Sequence, residues 1–169
     1  MVVLGIDPGF ATVGYGIVRC ENGVFTPVSY GAITTPPHTL IEKRLKEIYD
    51  CMCQLIDTYK PDCMAIEELF FNTNQRTAVD VCQARGVMLL AAENKGINTF
   101  EYTPLQIKQS VVGYGRAEKQ QVQYMVKMLL KLDRTPKPDD AADALAAAIC
   151  HGHSAGSRTR RQLRIKEGI

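Results

Sequence analysis

Four carboxylates stand out in this chain as residues that could do chemistry together. Asp7 ends the apolar run Val2–Asp7, just before the Pro8-Gly9 turn signal. Glu67 ends Cys63-Met64-Ala65-Ile66, a stretch as apolar as a central buried strand. Asp140 and Asp143 are three residues apart at the start of a helical pattern, so they share one face. Acids at strand ends and helix starts often serve only as turn formers and caps, and one of Asp139 and Asp140 suits the capping role. Glu67 argues for more, because a charge at the end of a buried strand is costly unless something offsets it. If the strands ending in Asp7 and Glu67 are neighbours, the two carboxylates meet beyond the carboxyl edge of the sheet, where ligand sites of α/β proteins lie. Several carboxylates gathered there would repel one another without a cation. Hard oxygen donors with no His or Cys among them select Mg²⁺, with Mn²⁺ as a substitute. Two such ions about 4 Å apart would suit in-line hydrolysis of a phosphodiester.

Other chemistries fit less well. His38 sits beside Pro36-Pro37, and His151 and His153 fall near the end of the chain, none beside a plausible nucleophile. Cys150, His151 and His153 have the wrong spacing for a structural zinc knuckle. Gly5-x-x-x-Gly9 and Gly14-x-Gly16 lack the Lys-Ser/Thr of a phosphate loop, and no helix follows the first strand as a dinucleotide fingerprint requires.

The elements that must position these acids are legible in outline. Val2–Asp7, Val13–Arg19 and Val24–Ile33 read as three antiparallel strands, the last two joined by a tight Asn22-Gly23 hairpin. Apolar residues recur at three- and four-residue intervals from Thr39 to Tyr59, which predicts an amphipathic helix. Cys63–Glu67 is a buried strand, Arg76–Lys95 a helix closed by Gly96, and Ile97–Tyr102 a further strand. Strands separated by helices in this way should lie parallel in one sheet. Helices over Pro104–Val112, Ala117–Leu132 and Asp139–Cys150 complete an α/β domain with a five-stranded mixed sheet. The domain is expected over residues 1–153, with a basic, flexible tail over 154–169. The helix over 76–95 is apolar almost all round, so it should be either wholly internal or half of a dimer interface.

Composition describes an ordinary soluble globule: 169 residues, 46% hydrophobic, 22% charged. No run approaches the roughly 20 apolar residues of a membrane span, and the first residues lack a basic leader. The six cysteines form no C-x-x-C pair, and most sit in apolar stretches. They read as buried reduced thiols of a cytoplasmic protein. The net charge of +2 hides an uneven distribution. Residues 95–137 hold eight bases and three acids, and residues 151–169 hold five bases and one acid, a pattern suited to a phosphate backbone.

Six blocks in register resemble the bacterial RuvC family of Holliday-junction resolvases: Gly5-Ile6-Asp7-Pro8-Gly9 with Thr12-x-Gly14-Tyr15-Gly16; Ala65-Ile66-Glu67 with Phe70-Phe71; Gln83-Ala84-Arg85-Gly86; Lys108-Gln109-x-Val111-Val112-Gly113; Ala117-Glu118-Lys119-x-Gln121-Val122; and Asp140-Ala141-Ala142-Asp143-Ala144-Leu145. The resemblance runs from residue 2 to about 153. It implies an RNase H-like fold, a homodimer, and Mg²⁺-dependent paired nicking of two opposed strands at a four-way DNA junction during recombination and repair. It implies metal ligation by Asp7, Glu67, Asp140 and Asp143, although one family variant has His where this chain has Asp140. It matches Lys108 and Lys119 to lysines near the scissile phosphate and Phe70 to an aromatic that stacks at the opened crossover. Arg116 joins these as a DNA-binding residue, and a branch-migration motor that binds junctions is an implied partner. Rival readings are a same-fold nuclease for structured RNA, an actin-like ATPase or sugar kinase, and an inactive junction-binding module. The ATPase needs two such domains, and the acidic set looks complete for catalysis.

Overall fold

Alternation along β1 (Val2–Asp7) decides the layering of the molecule. The structure, a computed structural model, describes residues 1–69 and 75–154. Side chains point alternately to the two faces of a strand. Leu4 and Ile6 enter one core with α1 (Ile41–Tyr59) and α2 (Gln75–Asn94), and Val3 enters another with α3 (Pro104–Val112), α4 (Lys119–Leu129) and α5 (Asp139–Ser154). The result is three layers, helices on both faces of one sheet.

The sheet contains β1, β2 (Thr12–Glu21), β3 (Val24–Thr34), β4 (Cys63–Glu67) and β5 (Asn98–Tyr102), in the order β3-β2-β1-β4-β5. β1 pairs antiparallel with β2 and parallel with β4, so the strands ending in Asp7 and Glu67 are indeed neighbours. Both hairpin residues, Asn22 and Gly23, have positive φ (52° and 78°), the geometry of the twisted two-residue turn that their sequence predicts.

Several boundaries differ from the sequence expectation. β2 extends to Glu21 because strand pairing continues to Glu21↔Val24, while β3 starts at Val24 as expected and runs one residue further, to Thr34. α1 starts at Ile41 and ends where Lys60 turns left-handed (φ 45°) and donates its N–H to the Ile56 carbonyl. α4 is shorter than its apolar pattern, since Ala117 and Leu130 are buried outside the helical turns. α5 reaches Ser154, four residues beyond the expected end. Neither Asp139 nor Asp140 caps it: both lie inside its first turn, Pro138 precedes them, and Ala141 N–H donates to the Pro138 carbonyl. α2 is not wholly internal. Ala84, Met88, Ala91 and Ala92 are buried, whereas Val79 and Leu90 are 57% and 53% exposed. Cys82 is exposed too, so that thiol departs from the buried expectation.

α5 is the central helix, and it approaches the sheet through a patch with almost no side chains. Gly5 on β1 pairs with Gly16 on β2, and Asp7 pairs with Gly14. A Cβ at Gly5 would overlap the Ala144 carbonyl oxygen, and one at Gly14 would overlap the Asp140 carbonyl oxygen. A Cβ at Gly16 would lie 2.7 Å from Leu145 Cδ2. The helix answers with its own small residues: Ala141, Ala142, Ala144, Ala146, Ala147 and Ala148 are fully buried. Glycine below and alanine above bring backbone against backbone.

Candidate active site

Asp7 and Glu67 come to one place because strand register and face agree. The parallel ladder ends at the pair Ile6↔Ile66, and the next residues along are the two acids. They follow Gly5 and Ala65 at a spacing of two, so they share the face on which α5 lies. The glycine contact at Gly14 sets the first turn of α5 over the start of β2, at the residue paired with Asp7, which brings Asp140 and Asp143 to the same edge.

The lysines arrive from the adjoining helices. Thr103 begins α3 with a reciprocal cap: Gln106 N–H donates to Thr103 Oγ1 (3.1 Å), and Thr103 N–H donates to Gln106 Oε1 (2.9 Å). One turn further on, α3 carries Lys108 to a cavity of about 270 Å³ that Glu67, Lys119 and Asp143 also line. Lys119 opens α4 and places Nζ 3.1 Å from Asp143 and 3.7 Å from Asp139. Arg116 is exposed in the segment between α3 and α4. Phe70 lies outside the described residues, as do residues 155–169 of the tail.

The electrostatics show acids in conflict. Burial first, then the charges of Glu67, Asp143 and Asp140, push the Asp7 carboxyl up to about 8, with Lys119 opposing. Burial and Asp143 push Glu67 up to about 7 against the pull of Lys108 and Lys119. Asp143 is raised by burial, although its hydrogen bond from Lys119 works the other way. Burial works to lower Lys119, but the Asp143 hydrogen bond and the charges of Asp143, Asp139 and Asp140 outweigh it and hold the ammonium charged. Asp139 behaves differently: its hydrogen bond from Lys137 (2.7 Å) lowers its pKa.

Among the described residues, no three His, Cys, Asp or Glu side chains are drawn close enough to close round an ion as they stand. The donor set nevertheless suits one. It is all carboxylate oxygen, its members raise one another's pKa, and a cation, the Lys119 ammonium, already bonds to Asp143. The zinc alternative finds no such support. His151 is buried with Nδ1 2.8 Å from the Tyr102 hydroxyl and its ring stacked on Phe100, while His153 pairs with Ser110 at 3.0 Å.

A family profile described as "Crossover junction endodeoxyribonuclease RuvC" matches residues 3–151. A crossover junction endodeoxyribonuclease RuvC from Caldanaerobacter subterraneus subsp. tengcongensis is 58% identical over 154 residues, 91% of this chain and 93% of its own. This chain belongs to the RuvC family. The fold agrees: the RuvC structure from Thermus thermophilus superposes with a TM-score of 0.86 at 34% identity, covering 92% of this chain and 95% of that one. The T. thermophilus RuvC solved in complex with a Holliday junction substrate gives a TM-score of 0.85 at 32% identity over the same shares of the two chains. The RuvC fold in this chain is therefore the RNase H-like arrangement expected from its sequence, a mixed five-stranded sheet between helical layers.

The sequence reading did not anticipate what seats the last helix. Gly5, Gly14 and Gly16 read in the sequence as a failed phosphate loop and as part of the first family block, and in the fold they form the bed on which α5 lies. The usable signal was glycine at every second strand position together with an alanine-rich helix. The Lys119–Asp143 ion pair was also missed, since the two residues are far apart in sequence and meet only through the packing of α4 on α5.

Proposed function

We propose that this protein resolves four-way DNA junctions as a homodimeric endonuclease, cutting two opposed strands symmetrically in recombination and repair. The observation that carries the reading is the meeting of four acids and two lysines at one sheet edge, in a chain of the RuvC family. Asp7, Glu67, Asp140 and Asp143 would hold Mg²⁺, with Mn²⁺ as a substitute. When bound, a pair of such ions supplies a nucleophilic water at neutral pH and stabilises the leaving oxygen of an in-line displacement.

The chain's own residues do the rest. Asp7 and Glu67 must lose the protons that burial and mutual repulsion favour, so ligand binding and proton release are coupled. Lys119, kept charged by Asp143, and Lys108, beside Glu67, offer ammonium groups to the non-bridging oxygens of the scissile phosphate. Arg116 would contact the neighbouring backbone, and Phe70 would stack on a base at the opened crossover.

The dimer reading rests on α2, whose inner face packs on the core while Val79 and Leu90 remain exposed. A two-fold dimer would present one acidic site to each of two strands of a junction that itself has approximate two-fold symmetry. We assign the catalytic unit to residues 1–153, place its work in the bacterial cytoplasm, and assign a branch-migration motor as its partner on junctions. No described helix is long and apolar enough to cross a membrane.

Incubation with synthetic four-way, three-way and linear duplexes in Mg²⁺ tests the reading. Paired symmetric nicks confined to the four-way substrate support it. Equal cutting of all three, or cutting of structured RNA in preference, would overturn it.

A further inference from the structure

The loop that follows Asp7 is held by a guanidinium from another layer of the molecule. Residues 8–11 connect β1 to β2, and a Cβ at Gly9 would overlap the Thr12 carbonyl oxygen, so the loop is folded tightly on itself. Its outer side is fixed from the end of β3. Thr35 N–H donates to the Ala11 carbonyl (3.0 Å), and Thr35 Oγ1 donates to the Phe10 carbonyl (2.8 Å). Thr35 is itself buried. Arg44, in the first turns of α1, completes the arrangement. Its Nε donates to Thr35 Oγ1 at 2.8 Å, and its guanidinium carbon lies 3.8 Å from the centre of the Phe10 ring. Arg44 therefore grips Phe10 by its ring and, through Thr35, by its carbonyl.

A guanidinium can make these contacts together because its fork is planar and rigid, and it stacks on aromatic faces as it donates within its plane. An ammonium at the same place could keep the attraction to the ring while losing the directed bond. The charges that weigh most on Asp7 are those of Glu67, Asp143, Asp140 and Lys119, whereas Arg44 is joined to it through the loop. Its influence passes through the backbone, since Phe10 is three residues from Asp7 in a tight loop.

We infer that Arg44 is a positioning residue for the reaction, whose clamp on Phe10 and Thr35 fixes the loop after Asp7 and so presents that carboxylate to the divalent cation. The inference rests on the metal-site reading proposed for Asp7. A side chain that acts by orienting a ligand typically changes metal affinity by about 10- to 100-fold when removed.

The test measures Mn²⁺ binding to the metal-free protein by calorimetry, alongside junction affinity without divalent ions and thermal unfolding. Arg44→Ala should weaken Mn²⁺ binding by about 10-fold, with junction affinity within about twofold of the parent. Arg44→Lys should recover part of the loss if it retains the ring contact, and Thr35→Val should reproduce part of it through the other arm of the clamp. Asp7→Asn serves as the reference. If Asp7→Asn leaves Mn²⁺ affinity unchanged, the metal-site reading fails. If Asp7→Asn weakens binding while folded Arg44→Ala and Arg44→Lys bind Mn²⁺ as the parent does, the positioning role alone is overturned. A loss of junction affinity in Arg44→Ala, with a shallower salt dependence and unchanged Mn²⁺ binding, would instead make Arg44 a phosphate contact and also overturn it.

Discussion

The two ends of α5 both carry partly or wholly buried titratable groups, and they treat them in opposite ways. At the C-terminal end, His151 is stacked on Phe100 and hydrogen-bonded to the Tyr102 hydroxyl, and burial lowers its pKa so that it stays neutral. At the N-terminal end, Asp143 joins Asp7 and Glu67, and burial with mutual repulsion raises all three. A buried polar group with a neutral partner is a finished piece of structure. Buried acids that raise one another's pKa leave a deficit of positive charge, which Lys119 only partly meets. Perturbation of this second kind marks a site where charge is to be supplied. The helix thus has a structural end and a chemical end.

The largest effect that could break this contrast is on activity. Glu67→Gln should lower the junction cleavage rate by about 1,000-fold or more, the scale of losing metal-assisted charge stabilisation. His151→Phe should leave the cleavage rate within about threefold while costing stability of about 1–3 kcal/mol, because Tyr102 loses its buried partner. Single-turnover kinetics and thermal melts of both variants would separate the two ends. A cleavage defect of similar size in His151→Phe would erase the distinction.

Next in size is the seating of α5. Gly14→Ala puts a methyl group where the Asp140 carbonyl oxygen now lies, so the N-terminal end of α5 must lift from the sheet. Overpacking of this kind costs about 1–3 kcal/mol. The cleavage rate should fall by more than the loss of folded protein explains, and both are measurable on one preparation at 20 °C below the melting point. Gly23→Ala, in the distant β2–β3 hairpin, has open space around it but a φ of +78°. It should lower stability without a specific loss of cutting.

A separate effect is in pH dependence, and its sign differs between the ends. For Asp7 and Glu67 the folded pKa values of about 8 and about 7 exceed the ordinary 3.8 and 4.5. Between those limits the folded state binds more protons than the unfolded one, so metal-free stability falls as pH rises toward 8. For His151 the folded value lies below the ordinary 6.5, so its contribution is present above pH 6.5 and is lost on acidification. Melts of the metal-free protein from pH 5 to 8 should therefore show Asp7→Asn gaining most over the parent at pH 8. His151→Phe should show its smallest deficit at acid pH. An Asp7→Asn gain that is flat across this range would remove the burial and repulsion argument.

Much of this was legible from the sequence, for identifiable reasons. Glu67 stood out because an acid ending Cys63-Met64-Ala65-Ile66 conflicts with its surroundings, and such local conflict survives in a one-dimensional reading. The Asn22-Gly23 hairpin was equally clear, because φ > 0 at both turn positions demands those residue types. Long-range packing was less accessible. Periodicity could not tell which turn of α2 would stay uncovered, because its apolar residues surround the helix and only the positions of α1 and the sheet decide. The start of α5 was misjudged because aspartates before an alanine run suit both a cap and a first turn. The Arg44 clamp was invisible, since it joins α1, β3 and the β1–β2 loop through side-chain geometry alone.

The most direct measurement compares Asp7→Asn with the parent on a synthetic four-way junction, recording junction affinity without divalent ions and single-turnover cleavage in Mg²⁺ at pH 8. If Asp7 is a metal-holding acid relieved of repulsion by substitution, affinity should be equal or tighter while cleavage falls by about 1,000-fold or more. Cleavage within about tenfold of the parent, or a loss of cleavage that merely follows a loss of binding, would contradict the assignment of this sheet edge as the catalytic centre.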